Sequence, residues 1–272
     1  MEPTANEADS NWRVVGPSWS SVRAAFLSMK SLFLSAAFAS LLLSAFAVFG
    51  PDWIGSQPRL TATLVQIAIA VLVLFLRMLI LAPVAVAVHR FVLLGERTPG
   101  IISLRPSYTR RFALWLCAIS LAFFAVAALG AALSLSFVLG ARGKLFFFVS
   151  LIAAIVCSVF SVLVFPSIAI DESSSGWRGR LGASWRRMDG HFWLFVGLSL
   201  VAILPIVLVV TVFAGILGAV EIFVFRDSGK SLFGFGMQAG PDLANILTAM
   251  LGAAIASRFY ARFRDQTITP AA

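Results

Sequence analysis

The chain has 272 residues, 60% of them hydrophobic and only 12% charged, with a mean hydropathy of +0.96. Soluble domains carry roughly 25% charged residues, so a water-soluble globular fold is excluded, and apolar runs of about 20 residues point to a polytopic membrane protein. The net charge of +9 does not indicate nucleic acid: 18 of the 21 basic residues are Arg, and they gather at the ends of the apolar runs as in cytoplasmic membrane loops.

In chain order, residues 1–16 are polar and read as a disordered cytoplasmic tail, 17–264 as a single six-span membrane domain, and 265–272 as a second cytoplasmic tail. Trp19, Val22, Arg23, Phe26 and Lys30 precede the first span in a mixed apolar and basic pattern. The spans are expected at 31–50, 61–82, 112–139, 145–166, 192–214 and 242–260. Ala45-Phe46-Ala47 resembles a signal-peptidase site, but the leader before the run is long and carries Glu2, Glu7 and Asp9, so a retained anchor is expected. Pro83 and Pro166 are expected to end spans two and four, and the long third span to tilt. Pro205 is expected to kink span five, shaping a cavity or adapting packing. Turn-like PDWIGSQPRL, GARGK and RDSGKSLFGFGMQAGP follow spans one, three and five.

Charge sets the orientation. With the N-terminus, the second and fourth loops and the C-terminus on one side, 15 basic residues fall there and 5 on the other, leaving Arg77 inside span two. That bias predicts N-in, C-in topology. Arg usage over Lys, with abundant Ala and Gly, fits a GC-rich bacterial genome.

The segment GWRGRLGASWRRMDGHFW, 176–193, stands just before span five. On a helix, Trp177, Leu181, Ser184, Trp185 and Met188 fall within about a 100° arc and Arg178, Arg180, Arg186 and Arg187 cover the rest, the pattern of a helix in the membrane interface. SLRPSYTRRFALW, with Arg110 and Arg111, repeats the theme before span three. The expected fold is therefore an all-α polytopic membrane protein: six transmembrane helices as three hairpins, each preceded by a cytoplasmic interfacial amphipathic helix, in weakly repeated units of roughly 80 residues.

Pro166, Asp171 and Glu172, then Ala183-Ser184-Trp185, Gly190 and Phe192-Trp193 resemble a pattern found in poorly characterised bacterial six-span inner-membrane proteins. That group includes the YciC-like proteins and the membrane domain fused to glycerophosphodiester phosphodiesterases. The resemblance covers about 30 residues and implies an inner-membrane protein with an envelope role; the phosphodiesterase catalytic domain is absent.

Chemistry-bearing residues are few. Asp171 and Glu172 could bind a cation or act as acid and base, but salt bridging to neighbouring basic residues is simpler, and with the arginines of 178–187 they could recognise a lipid headgroup. His89 and His191 stand at cytoplasmic span ends in no metal-binding spacing, so interfacial hydrogen bonding is expected. No metal or cofactor is expected. Arg77 either snorkels to the nearby cytoplasmic surface or lines a polar cavity, and a polar cavity reached by Arg77 or Gln66 would favour transport. With the sixth span taken to begin at 242, no acidic residue lies mid-span and a proton or cation relay has no obvious carrier. The Gly-rich segment 229–240 lacks the context of a phosphate loop, and no hydrolase or paired-cysteine motif is present. Cys117 and Cys157 fall inside apolar runs and are expected to pack rather than pair. Small residues at helical spacing, Ala36, Ser40 and Ser44 in span one and Ala249, Ala253 and Ser257 in span six, predict close helix contact within the chain.

The leading expectation is a non-enzymatic inner-membrane protein that binds anionic lipid headgroups, partner membrane proteins or itself, and not nucleic acid, in envelope assembly or homeostasis. The alternative is a transporter or lipid-handling protein with a cavity near spans two and five, shaped by Arg77 and Pro205.

Overall fold

The computed structural model describes residues 14–49, 59–98, 106–135, 140–170, 177–224 and 232–266, which form helices and no strand. In chain order these are α1 (Val15–Ser28), α2 (Lys30–Phe49), α3 (Arg59–Leu94), α4 (Ser107–Leu135), α5 (Gly140–Ser161), α6 (Val164–Ala169), α7 (Trp177–Met188), α8 (Phe192–Val224) and α9 (Leu232–Gln266). Apolar helix is what a chain of this composition must form in hydrocarbon, because every backbone N–H and C=O has to be satisfied within its own segment. Five helices contain stretches long and apolar enough to cross a membrane: Lys30–Val48, Val65–Leu94, Ser107–Val126, Phe192–Ile216 and Phe235–Phe263. These mark a multi-pass integral membrane protein. The expected fourth span, 145–166, corresponds to α5, whose apolar stretch Phe147–Ser161 is shorter than those five.

Two boundaries differ from the sequence reading. Helix α3 does not end at Pro83 but runs through it for 11 more residues, to Leu94, and closes at Gly95, whose φ of +69° only glycine adopts without strain. The lost N–H of Pro83 is tolerated because residues 82–89 are buried by neighbouring helices, which hold the kinked turn in place. Helix α9 begins ten residues before the expected 242, so residues 232–240 of the Gly-rich segment are helical rather than loop. Close packing accounts for part of this: a Cβ on Gly240 would stand 3.3 Å from the Phe213 ring of α8. Pro166 sits in the first turn of the short α6, where no intrahelical N–H is required, and not at the end of a continuous span.

The last helix is the hub. α9 packs against α1, α2, α3, α6 and α8, whereas α4 and α5 pack on each other and join the rest chiefly through α3, α6 and α7. The small-residue stripes lie where expected: Ala36, Ser40 and Ser44 of α2 and Ala253 and Ser257 of α9 are buried, and the two helices pack together. The core concentrates at one end, where the last third of α3, all of α6 and residues 250–260 of α9 meet. Here His89 Nδ1 and Ser257 Oγ share a 2.7 Å hydrogen bond, and the Phe112 ring of α4 packs, tilted, against both His89 and Phe165. His89 is thus buried in the bundle, not at an interface.

Arginines fasten the helix ends around this core. Arg90 holds Glu96 at 2.6 Å, donates to the Ala169 carbonyl of α6 at 2.8 Å and lies over the Tyr108 ring of α4. Arg258 of α9 donates to the Pro17 carbonyl and the Ser21 hydroxyl of α1. Hence α1 presents Ser18, Val22 and Ala25 to protein neighbours rather than to lipid alone.

Of the three amphipathic helices expected ahead of the hairpins, α1 and α7 are separate helices. The second is not: Arg110 and Arg111 lie in the first turns of α4, continuous with the span, and residues 99–105 lie outside the described residues. Of the expected tails at 1–16 and 265–272, residues 15–16 and 265–266 belong instead to α1 and α9, and residues 1–13 and 267–272 lie outside the described residues.

Candidate functional site

Two isolated charges meet inside the bundle. Arg77 stands in α3 twelve residues after Val65 and seventeen before Leu94, or about 18 Å and 25 Å along the axis at 1.5 Å per residue. The guanidinium is held by a neighbouring helix. Its Nη2 lies 2.9 Å from Oδ2 of Asp242, seven residues inside the apolar stretch of α9. α3 and α9 run parallel, since Arg77 meets Asp242 and His89 meets Ser257 farther along both. The expectation of no acidic residue mid-span is therefore corrected: the early start of α9 moves Asp242 from the first residue of the expected span to the interior of the apolar stretch.

The carboxylate is well housed. Its side chain is 4% exposed and Arg77's 26%. The Ser44 hydroxyl of α2 donates to Asp242 Oδ2, although the Ser40 carbonyl one turn back also lies within reach at 2.9 Å. One hydroxyl proton serves one acceptor at a time, and the charged oxygen makes the stronger bond. On the arginine, Nε is buried without a hydrogen-bond partner. Leaving such a donor bare costs about 1–3 kcal/mol, a cost borne by packing elsewhere.

The pair opens onto a cleft of about 300 Å³ between α2, α3, α4 and α9. Its polar lining adds Ser40, Ser120, Asn245 and Thr248 to the two charges, and Met78, Leu81, Leu116 and Ala249 supply the apolar remainder. The Ser120 hydroxyl donates only to the Met78 sulfur, a weak acceptor, at 3.3 Å. A volume near 300 Å³ with few convergent polar groups is at the lower end of small-molecule sites. A second cleft of about 200 Å³, between α4 and α5, is almost wholly apolar.

The sequence-selected residues divide. Arg77 lines the cleft, whereas Pro205, exposed within α8, and Gln66, exposed on α3, do not. The cleft thus lies among α2, α3, α4 and α9 rather than between α3 and α8, where spans two and five were expected to form it. In α7, Ser184 and Met188 are buried and the Ser184 hydroxyl donates to the Phe160 carbonyl. Trp185, 44% exposed, packs on the Phe160 ring at 4.8 Å. Arg178 and Arg186 are exposed, Arg180 is half-buried, and Arg187 lies over the Tyr260 ring at 4.8 Å, a contact within the protein. Arg110 and Arg111 are exposed at the start of α4. Trp177 opens α7, and its side chain, like Asp171 and Glu172, lies outside the described residues. His191 contacts the Asp189 carbonyl at 3.0 Å and the edge of Phe263. Both cysteines are free thiols.

Sequence reasoning missed Asp242, Ser44's bond to it, and the polar partners Ser120, Asn245 and Thr248. A signal was present. Asp242 is the one charge between Lys230 and Arg258, and Arg77 the one charge between Arg59 and Arg90 apart from His89. Two lone opposite charges in separate apolar runs are natural partners. No protein-family model, no curated protein and no solved structure matches the chain.

Proposed function

We propose that the chain is a six-span protein of a bacterial inner membrane, with both termini in the cytoplasm, that binds and moves a small polar group, a lipid headgroup or a solute, at the Arg77 cleft without covalent catalysis. One observation carries this reading: an ion pair placed deep among apolar helices and facing a cleft. Charges within a membrane cost at least ~2.5 kcal/mol each on insertion scales, and for stability alone a hydrophobic replacement of a buried pair is often as good or better. Function is the economical reason to keep it. The 15 to 5 charge bias supports the orientation, and the resemblance to the YciC-like proteins fits an envelope role.

The test is occupancy. Native mass spectrometry of protein released from its own membrane should show a small bound molecule on wild type that is missing from an Arg77→Met, Asp242→Leu double variant. Equal occupancy of both would remove the cleft as the binding place. Exposed Arg178 and Arg186 beside half-exposed Trp185 favour a second reading, in which α7 binds anionic headgroups. Replacing Arg178, Arg180, Arg186 and Arg187 together by Gln should weaken binding to anionic vesicles, and unchanged binding would sink it.

A further inference from the structure

Resting on the reading of the cleft as a binding place, we infer that its ligand is a small zwitterion, with a phosphate or carboxylate for Arg77 and an ammonium for Asp242. The charges lining the cleft are one guanidinium and one carboxylate in direct contact, 2.9 Å apart, with the carboxylate nearly closed off from solvent. Their sum is zero. An anion drawn onto Arg77 would release Asp242 as a bare charge among apolar helices, and a cation on Asp242 would do the same to Arg77. A zwitterion exchanges partners with the pair and leaves the total unchanged, so neither buried charge loses a counterion. A neutral polyol has no means of parting the two.

The rest of the lining fits the same occupant. Arg77 Nε is a buried donor without a partner, ready for a second oxygen of a planar or tetrahedral anion. Ser120, Asn245 and Thr248 add hydroxyl and amide groups that donate and accept. The Ser44 hydroxyl donates to Asp242 Oδ2 and holds that carboxylate in place while Arg77 turns away. Two sources carry this chemistry, a phosphoethanolamine lipid headgroup and a free amino-acid-like solute.

Thermal unfolding of the purified full chain, read by tryptophan fluorescence, separates the possibilities. The probes are glycerophosphoethanolamine and β-alanine as zwitterions, glycerol 3-phosphate as the anion, ethanolamine as the cation and glycerol as the neutral control. A zwitterion at about a hundredfold over its Kd should raise the Tm of wild type by about 5 °C, with single-charge and neutral probes silent. Asp242→Asn should transfer the response to glycerol 3-phosphate and Arg77→Gln to ethanolamine, an exchange that a folding defect does not produce. Should a single variant fail to fold, the Arg77→Met, Asp242→Leu chain, expected to fold, must lose every response. A response to glycerophosphoethanolamine alone assigns the lipid source, and one to β-alanine the free solute; either supports the inference. Stabilisation of wild type by glycerol 3-phosphate as strong as by the zwitterions overturns the inference and leaves the cleft as a binding site. Silence of all probes, with no bound molecule distinguishing wild type from the double variant, overturns both.

Discussion

Removing Arg77 alone should damage the protein more than removing both members of its pair. In Arg77→Met, Asp242 keeps only Ser44 and stays nearly closed off from water. Stranding one member of a buried pair costs about 3–5 kcal/mol, and the upper half applies because the survivor is the more deeply buried group. In Asp242→Leu the survivor is Arg77, whose side chain is 26% exposed and can lean into the cleft; about 2–3 kcal/mol is expected, near the insertion-scale cost of a lone membrane charge. With both replaced, no charge is stranded, and the change should lie between neutral and about 1–4 kcal/mol stabilising. The coupling in a double-mutant cycle should therefore reach about 6 kcal/mol, above the ~0.5–3 kcal/mol usual for contacting residues. The seven tryptophans give the fluorescence signal for equilibrium unfolding from mixed micelles. Additive single costs, with the double variant the least stable of the four, would refute the claim that each charge exists to neutralise the other.

Three further outcomes follow from the packing. His89→Ala removes a buried ring between α3, α4 and α9 and leaves the Ser257 hydroxyl without its bond; a loss of about 3–5 kcal/mol is expected from the cavity and the stranded group together, read by the same unfolding measurement, and a loss under 1 kcal/mol would contradict it. Arg258→Gln should release α1 from α9, seen as faster amide exchange over residues 15–28 with the rest unchanged, since both bonds to Pro17 and Ser21 come from that guanidinium. Gly190→Ala should cost about 1–2 kcal/mol from φ alone, because no neighbouring atom would meet the new Cβ.

The fold class was legible because hydropathy is a property of local sequence: five long apolar helices, the separate α7 and the buried stripes of α2 and α9 follow from run length and spacing. What escaped depends on neighbours. Pro83 reads as a terminator in isolation, but the helices around residues 82–89 hold that turn helical. Asp242 and the glycines before it pull a hydropathy boundary inward, although Gly240 is there to admit the Phe213 ring. The site was half visible: Arg77 stood out as an intramembrane charge, while its partner and Ser44 sit 165 residues downstream and 33 upstream. Only the tertiary arrangement of α2, α3 and α9 joins them.

That distance along the chain has a consequence for biosynthesis. At about 5–20 residues per second, the 165 residues between Arg77 and Asp242 take roughly 8–33 s to make. Throughout that interval the ribosome has delivered a guanidinium in a helix bound for hydrocarbon and not yet its counterion. α9, which touches five other helices, is the last of them to emerge. Until α9 is made, Arg77 adds about 2.5–3.5 kcal/mol to the insertion cost of α3, carried by the apolar residues around it, and α9 relieves that cost when Asp242 reaches the guanidinium.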